Sequence, residues 1–492
     1  MTIYRNFING EWLASSSSQA APNINPANTN DIIGTIKLST REEARTAVIA
    51  AHDAFKNCKN TPAPTRGKIV AKFARLLEDD KENLAQMLTR EEGKTLAESR
   101  GELLRSINVA EFCAGESRRL NGETIQSELA ANFAYTIKEP HGVVALITPW
   151  NFPVAIPVWK IAPALVAGNT VVFKPAETTP ATAVRIVELF EAAGLPKGVL
   201  NLVLGKGSEI GDEIANHPAV KAISFTGSTE TGIKLYEQAA KRGAKVQCEM
   251  GGKNPVVVLA DCDLDLAVES IANGAFGSTG QRCTATSRAI VIDKIADEFV
   301  RKIVEKAKEM RIGDGADTAT EMGPMVDEKQ FKNVLKYIDI GREDGAEMLC
   351  GGKRASGENL ENGYFVEPTV FDRVMPDMRI AQEEIFGPIL SVLRVKDFDE
   401  AMTVANDSNY GLTSSIFTND PNLIFRFVDE IETGMTHVNS PTTGGEAHIP
   451  FGGVKMTGIG AREQGSTALD FYTELKVVYV DYTGRRREGN LY

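Results

Sequence analysis

Six cysteines in 492 residues are too few and too scattered for a disulfide framework. Cys58, Cys113, Cys248, Cys262, Cys283 and Cys350 include no Cys-x-x-Cys pair. Histidine is scarcer still. His52, His141, His217, His437 and His448 show neither His-x-x-x-His nor mixed Cys/His spacing, so no metal site is expected. A basic excess is missing too. The 54 basic residues stand against 66 acidic ones, a formal net charge of −12, which argues against nucleic acid or an anionic membrane as the main partner. Met1-Thr2-Ile3-Tyr4-Arg5-Asn6 is not a basic stretch leading into an apolar run, so no secretory signal is expected and the cytoplasm is the expected compartment. Nor is there a clean membrane span. The longest uncharged stretch, 140–159, contains Pro149, Pro153 and Pro157, and its 143–147 run reads as a buried strand.

What is present is an ordinary globular balance, with 42% hydrophobic residues and 43 glycines. At roughly 150 residues per domain the length suggests about three units. The first segment reads as helical. Thr40-Arg41-Glu42-Glu43 has capping-box spacing, followed by Ala44, Val48, Ala51 and Phe55 at helical period. A second helix is predicted after Pro64, with Ile69, Val70, Phe73, Leu77, Leu84 and Leu88 on one stripe. From Val143 the pattern becomes strand–helix alternation, with strands at 143–147, 170–173, 199–204, 220–225 and 247–250. Thr179-Pro180 reads as an N-cap and first-turn proline for the helix that follows. A second series begins at 255–259 and continues through 289–292, 390–395 and 412–417. Near-continuous apolar strands of this kind belong to parallel sheets covered on both faces. The fold class is therefore α/β, with two doubly wound parallel-sheet domains. The segments 133–138 and 475–480 belong to neither series and suggest a small protruding sheet for self-association.

Several residues invite a chemical reading, each beside a plain one. Phe225-Thr226-Gly227-Ser228 ends a strand and opens a helix, which suits an anion but equally a tight turn with an N-cap. The Gly205-Lys206-Gly207-Ser208-Glu209-Ile210-Gly211 run is one residue too long for the dinucleotide fingerprint. Lys174 and Glu177 follow a strand, as ribose ligands or as a solvated loop. Cys283, beside Arg282 in a polar segment, is a thiolate nucleophile of lowered pKa or a small buried hydrophobe. Glu249, before Gly251-Gly252, is a general base or a hinge glutamate. Asn151 is an oxyanion donor or a helix cap.

In this order the segments resemble the aldehyde dehydrogenase superfamily. The resemblance runs from Phe7-Ile8-Asn9-Gly10-Glu11-Trp12 to about Leu475-Lys476. It takes in Pro149-Trp150-Asn151-Phe152-Pro153, Lys174-Pro175-Ala176-Glu177, Phe225-Thr226-Gly227-Ser228, Glu249-Met250-Gly251-Gly252-Lys253, Gly280-Gln281-Arg282-Cys283, Glu384-Ile385-Phe386-Gly387-Pro388 and Pro450-Phe451-Gly452-Gly453. It implies that Cys283 is the nucleophile, that Asn151 and the Cys283 backbone N–H are the oxyanion donors, and that Glu249 activates water. Lys160 matches a lysine near the active site in some members. It further implies a cofactor site of Ile147, Thr148, Pro149, Trp150, Lys174, Glu177, Gly207, Gly211, Phe225, Thr226, Gly227, Ser228, Glu249, Gly251, Glu384 and Phe386. Lys174 and Glu177 would hold the adenosine ribose, Ser228 the pyrophosphate and Glu384 the nicotinamide ribose. The cofactor is NAD, with NADP as the alternative, because Glu177 would repel a 2′-phosphate. Expected units are a cofactor domain (1–121 and 142–251), a catalytic domain (252–467) and an oligomerisation sheet (122–141 and 468–492) of a homodimer or homotetramer.

The implied reaction is oxidation of an aldehyde to a carboxylic acid through a Cys283 hemithioacetal and thioester. Around Cys283 the sequence resembles the branch of 2-oxoglutarate semialdehyde (2,5-dioxopentanoate) dehydrogenases, as does Ala461, an apparent insertion before Arg462-Glu463-Gln464-Gly465. Substrate contacts are expected from Arg282, Phe152, Thr284 and Phe451, with Arg282 pairing with a distal carboxylate, lowering the thiol pKa or facing away. Cys248 stands where many members carry leucine, and would crowd or loosen the base or add a second oxidisable thiol. Alternative functions are a broad-specificity or succinate semialdehyde dehydrogenase, a cysteine hydrolase or acyl transferase without nicotinamide, and a non-catalytic cofactor-binding relative.

Overall fold

Strands that are apolar at every position bury both faces, and two sheets of the molecule do so by alternation. The structure is a computed structural model that describes residues 2–357 and 359–486. In the first sheet Val144, Leu146, Val171 and Phe173 enter one core, while Val143, Ala145, Ile147 and Val172 enter the core on the opposite face. In the second, Val257, Ile290 and Leu393 point one way and Val256, Val258, Ala289 and Val392 the other. Period-two geometry makes this division automatic.

The first sheet has eight strands. Five are parallel, in the order Lys245–Glu249, Val220–Thr226, Val143–Ile147, Thr170–Lys174, Leu200–Leu202. The chain runs outward from Val143–Ile147 in one direction and then in the other. The carboxyl end of that strand is thus a topological switch point, where open α/β sheets bind ligands. Antiparallel strands extend both edges: Asn6–Ile8 and Glu11–Leu13 on one side, Gly458–Ile459 on the other. Gly458–Ile459 falls inside the expected 252–467 unit yet pairs with Cys248 and Glu249, so a division at that boundary cuts through the sheet. The second sheet has seven strands, six of them parallel, with Glu347–Cys350 antiparallel at one edge. Asn132–Pro140 and Thr473–Asp481 pair antiparallel along their whole length beside Thr124–Ile125. Met1 and the last six residues of the expected 468–492 segment lie outside the described residues.

The N-terminal segment departs from the sequence reading. Five strands of three to six residues precede the first helix, Arg41–Cys58. Runs this short carry too few residues to show alternation. Asn9 (φ 54°) and Gly10 (φ 78°) close one of their hairpins with the two left-handed residues such a turn needs. The stripe from Ile69 to Leu88 belongs to two helices, Ala63–Asp79 and Lys81–Glu92, which break at Asp80 but bury the same face. Leu96–Glu116 follows, opened by a capping box of Thr95 and Glu98. The expected Thr179 cap is absent. Instead the Glu91 carboxylate accepts from Ala181 N (2.6 Å), Thr182 N (3.0 Å) and Thr182 Oγ1 (2.8 Å) at the start of the Pro180–Ala192 helix. A tertiary contact has replaced a local one. Among the described residues no helix is long and apolar enough to cross a membrane.

Candidate active site

Cys283 reaches its position through strained backbone. The Leu264–Phe276 helix gives way to Ser278 (φ 49°), Thr279 (φ 56°) and Gly280 (φ 67°), three successive left-handed residues. For the two with side chains this costs about 1–2 kcal/mol each. Long-range bonds fix the loop. Glu98 Oε1 accepts from Ser278 N, Thr279 Oγ1 donates to Gly323 O (3.0 Å), and Val326 N donates to Gln281 Oε1 (3.0 Å). Asn254 Nδ2 then donates to both Cys283 O and Ala285 O, each at 2.8 Å.

Asn151 meets this loop from the switch point of the first sheet. Its side-chain N–H donates to Gln281 O (3.0 Å), its Oδ1 is buried without a partner, and it does not cap the helix that follows. That helix, Ala155–Ala167, is capped by Glu102, whose Oε1 accepts from Val154 N (2.8 Å) and Ala155 N (3.0 Å). Glu102 Oε2 binds Lys94 Nζ (2.7 Å), and Lys94 in turn donates to Asn151 O (2.6 Å) from above the Phe152 ring. A buried ion pair therefore holds the turn that carries Asn151.

The thiol differs from expectation. Burial, then the Glu384 and Glu249 carboxylates, push the Cys283 thiol up to about 12, while the Thr284 N–H and Arg105 act the other way. Arg282 does not supply the lowering charge. Its Nε donates to Ser278 Oγ (2.9 Å) and its Nη2 pairs with Glu98 Oε1 (3.1 Å), so the guanidinium is committed to bracing the loop. The expected pairing of Arg282 with a substrate carboxylate is replaced by this internal ion pair.

Glu249 ends the last parallel strand of the first sheet, buried, with Oε2 unpartnered. Burial and then Glu463 raise its pKa well above the usual carboxylate range, against the pull of Lys160, Arg462 and the Gly453 N–H. A Cβ at Gly452 would fall 2.5 Å from Glu249 Oε1, so glycine there leaves the carboxylate its room. Lys160 Nζ pairs with Glu463 and donates to Ser224 Oγ (2.8 Å), which donates to Gln247 Oε1 (2.9 Å). Cys248 lies on the opposite strand face, its Sγ 3.7 Å from Gly232 O and its pKa pushed up to about 12 by burial. It neither crowds the base nor offers an exposed thiol. Phe451 stacks near Trp159 (5.6 Å between centroids) and exchanges two backbone bonds with Glu463, while Thr284 O accepts from Thr442 Oγ1 (2.8 Å).

A cavity of about 760 Å³ opens at the carboxyl ends of the first sheet. Of the expected cofactor residues its lining includes Ile147, Thr148, Pro149, Trp150, Lys174, Glu177, Gly207, Gly211, Phe225, Thr226, Gly227 and Ser228. Glu249, Gly251, Glu384 and Phe386 are not part of that lining. Glu384 packs on Gly251 and accepts from Gly252 N (2.9 Å), and Phe386, itself left-handed (φ 59°), meets the Trp150 ring edge-on at 5.4 Å. Three lining hydroxyls, of Thr148, Thr178 and Thr226, are buried without partners. Ser228 leaves the first turn of Thr229–Ala240 uncapped, its hydroxyl donating to Thr231 Oγ1 instead. Burial lowers the Lys174 pKa to about 8, and Glu177 Oε1 accepts from Gly207 N (3.3 Å). An anion-ready helix end, a buried lysine, a nearby carboxylate and unpaired hydroxyls fit a dinucleotide.

Sequence reasoning missed Glu463, Ser224, Lys94, Glu102 and Arg105. The last three lie on or beside the unanticipated Leu96–Glu116 helix, whose Thr95-x-x-Glu98 capping box was the available signal. Glu463 belonged to a quoted motif, but nothing local shows its contact with Lys160, three hundred residues earlier.

Comparison with known proteins agrees with this geometry. The family described as "Aldehyde dehydrogenase family" matches residues 12–478. The chain is 46% identical over 477 residues to an alpha-ketoglutaric semialdehyde dehydrogenase of Bacillus subtilis (strain 168), covering 97% of this chain and 98% of that one. It is 44% identical over 472 residues to a 2,5-dioxopentanoate dehydrogenase of Saccharolobus solfataricus, covering 95% and 98%. Among solved structures, betaine aldehyde dehydrogenase from Staphylococcus aureus in complex with NAD+ superposes with a TM-score of 0.96 at 38% identity, covering 98% of this chain and 95% of that one.

Proposed function

The chain belongs to the aldehyde dehydrogenase family, and from that premise we propose that it oxidises a short carboxylated semialdehyde, 2-oxoglutarate semialdehyde, to the acid with NAD. The observation that carries the reading is the grouping around Cys283 of one side-chain amide, Asn151, and one buried carboxylate with a free oxygen, Glu249. The names of the relatives support the substrate class.

Cys283 gives up its thiol proton to solvent, and the thiolate Sγ attacks the aldehyde carbon. The resulting oxyanion accepts hydrogen bonds from Asn151 Nδ2, released from Gln281 O, and from the Cys283 N–H. Lys94 and Glu102 hold the Asn151 turn so that little reorganisation is needed. The chemistry a bound nicotinamide supplies is acceptance of a hydride from the substrate carbon. Lys174 and Glu177 would hold the adenosine ribose, the start of Thr229–Ala240 the pyrophosphate, and Glu384 the second ribose. Glu177 at the ribose favours NAD over NADP. Glu249 takes a proton from water, which adds to the Cys283 thioester and frees the acid. Burial makes its carboxylate a stronger base than an exposed one, and Lys160 with Glu463 tunes that basicity.

We read the 1–121 and 142–251 segments, with the Gly458–Ile459 edge strand, as the cofactor unit and the rest of 252–467, bearing Cys283, as the catalytic unit. The exposed Leu475, Val477 and Tyr479 of the Thr473–Asp481 strand support self-association as a homodimer or homotetramer, and the chain is expected to work in the cytoplasm. The test is direct: purified protein, NAD or NADP, and a panel of carboxylated and neutral aldehydes, with reduced nicotinamide followed by absorbance. Turnover of carboxylated semialdehydes that vanishes in Cys283→Ser is expected. No reduction with any aldehyde sinks the reading.

A further inference from the structure

We infer that Arg105 recognises the distal carboxylate of the substrate, the role that Arg282 is not free to play. The inference rests on the semialdehyde reading above and adds the residue that selects for it.

Arg105 lies on the Leu96–Glu116 helix, in the wall of a groove of about 620 Å³ shared with Leu104, Asn108, Phe112, Ala447 and His448. Its guanidinium stands 5.2 Å from the Trp159 ring, and its Nη2 donates to Gln464 Oε1 (3.2 Å). It forms no ion pair among the described residues, and its buried Nε has no hydrogen-bond partner. A Cβ at Gly445 would fall 2.7 Å from Nη2, so glycine at 445 is what admits the guanidinium there. A partly desolvated cation with an idle donor is costly unless an anion completes it. Its charge also reaches Cys283, where it opposes the upward pressure on the thiol. The groove thus presents an unpaired, planar, five-donor cation whose charge is felt at the nucleophile. That arrangement suits a molecule with an aldehyde at one end and a carboxylate at the other. The exposed Glu111 and Glu446 at the rim give an anion no help, so the selection must occur at Arg105.

The experiment compares kcat/KM for 2,5-dioxopentanoate, succinic semialdehyde and pentanal in the wild type, Arg105→Met and Arg105→Lys. Arg105→Met is expected to lower the carboxylated-to-neutral ratio by about 30-fold or more, chiefly through KM, with Arg105→Lys between it and the wild type. Pentanal turnover in each variant reports on folding and on the thiol. An equal loss with all three substrates overturns the inference, because it assigns Arg105 to the thiol or to the fold. A wild type that prefers carboxylated substrates while Arg105→Met keeps the preference overturns the inference alone. A wild type without the preference overturns the semialdehyde reading and the inference together.

Discussion

At the residue scale the thiol and the base work against their own charges. Cys283 sits among the Glu384 and Glu249 carboxylates, so ionising it places another negative group beside them in a half-buried site. With its pKa near 12, the thiolate fraction of the free enzyme should climb about tenfold per pH unit from 7 to 9. Alkylation of Cys283 by iodoacetamide, read by mass spectrometry, should climb with it, and a plateau below pH 9 would show that the carboxylates do not govern the thiol. Glu249 has the complementary sign. Its pKa is raised, so below that value it is protonated and cannot accept a proton from water; hydrolysis should rise as pH passes through it. Glu249→Gln should still acylate, releasing about one equivalent of reduced nicotinamide, and then stall with kcat down roughly 10²- to 10⁴-fold. Rapid-quench and steady-state assays separate those phases, and normal kcat would remove Glu249 from the mechanism.

At the element scale, the parts that carry the site are held by contacts remote in sequence. The left-handed run of Ser278, Thr279 and Gly280 persists because Glu98, Gly323 and Val326 hold it. Gly280→Ala adds a left-handed penalty of about 1–2 kcal/mol and drives a methyl into Gly387 O. Lowered Tm and sharply lowered turnover are expected together, and a variant with wild-type values of both would show that the loop tolerates another path. Glu91→Ala removes three hydrogen bonds from the start of Pro180–Ala192 and should cost about 2–4 kcal/mol with little change in KM. Denaturant unfolding checks the first figure and substrate titration the second. Capping illustrates how far local reading goes: Thr40 and Thr95 cap their own helices through sequence-adjacent glutamates, whereas Thr179 and Asn151 looked equally suitable and do not. In both latter cases a carboxylate from another helix takes the position.

At the scale of the whole molecule, Asn132–Pro140 and Thr473–Asp481 form a ribbon whose Leu475, Val477 and Tyr479 face outward at 57%, 50% and 70% exposure. Exposed apolar strands of this kind need a cover. Val477→Asp combined with Tyr479→Asp should therefore shift the protein toward a monomer in analytical ultracentrifugation, leaving Cys283 and its surroundings untouched; an unchanged sedimentation coefficient would move the interface elsewhere.

The sequence by itself determined the two parallel sheets, because runs such as 143–147 and 255–259 are apolar at every position and only a sheet buried on both faces accommodates them. It also marked Cys283, Glu249, Asn151 and the Lys174–Glu177 pair, because each sits in a motif that is contiguous along the chain. It could not show the short N-terminal strands, whose length is below any readable period. Only the tertiary structure decided which way each charge points. Arg282, adjacent to the nucleophile, is bound to Glu98, while Arg105, 178 residues away, faces the groove and acts on the thiol. Neighbourhood in sequence fixes backbone geometry over a few residues, but electrostatic partnership depends on distance through space, and that is set when the Leu96–Glu116 helix docks against the Ala63–Asp79 and Ala155–Ala167 helices.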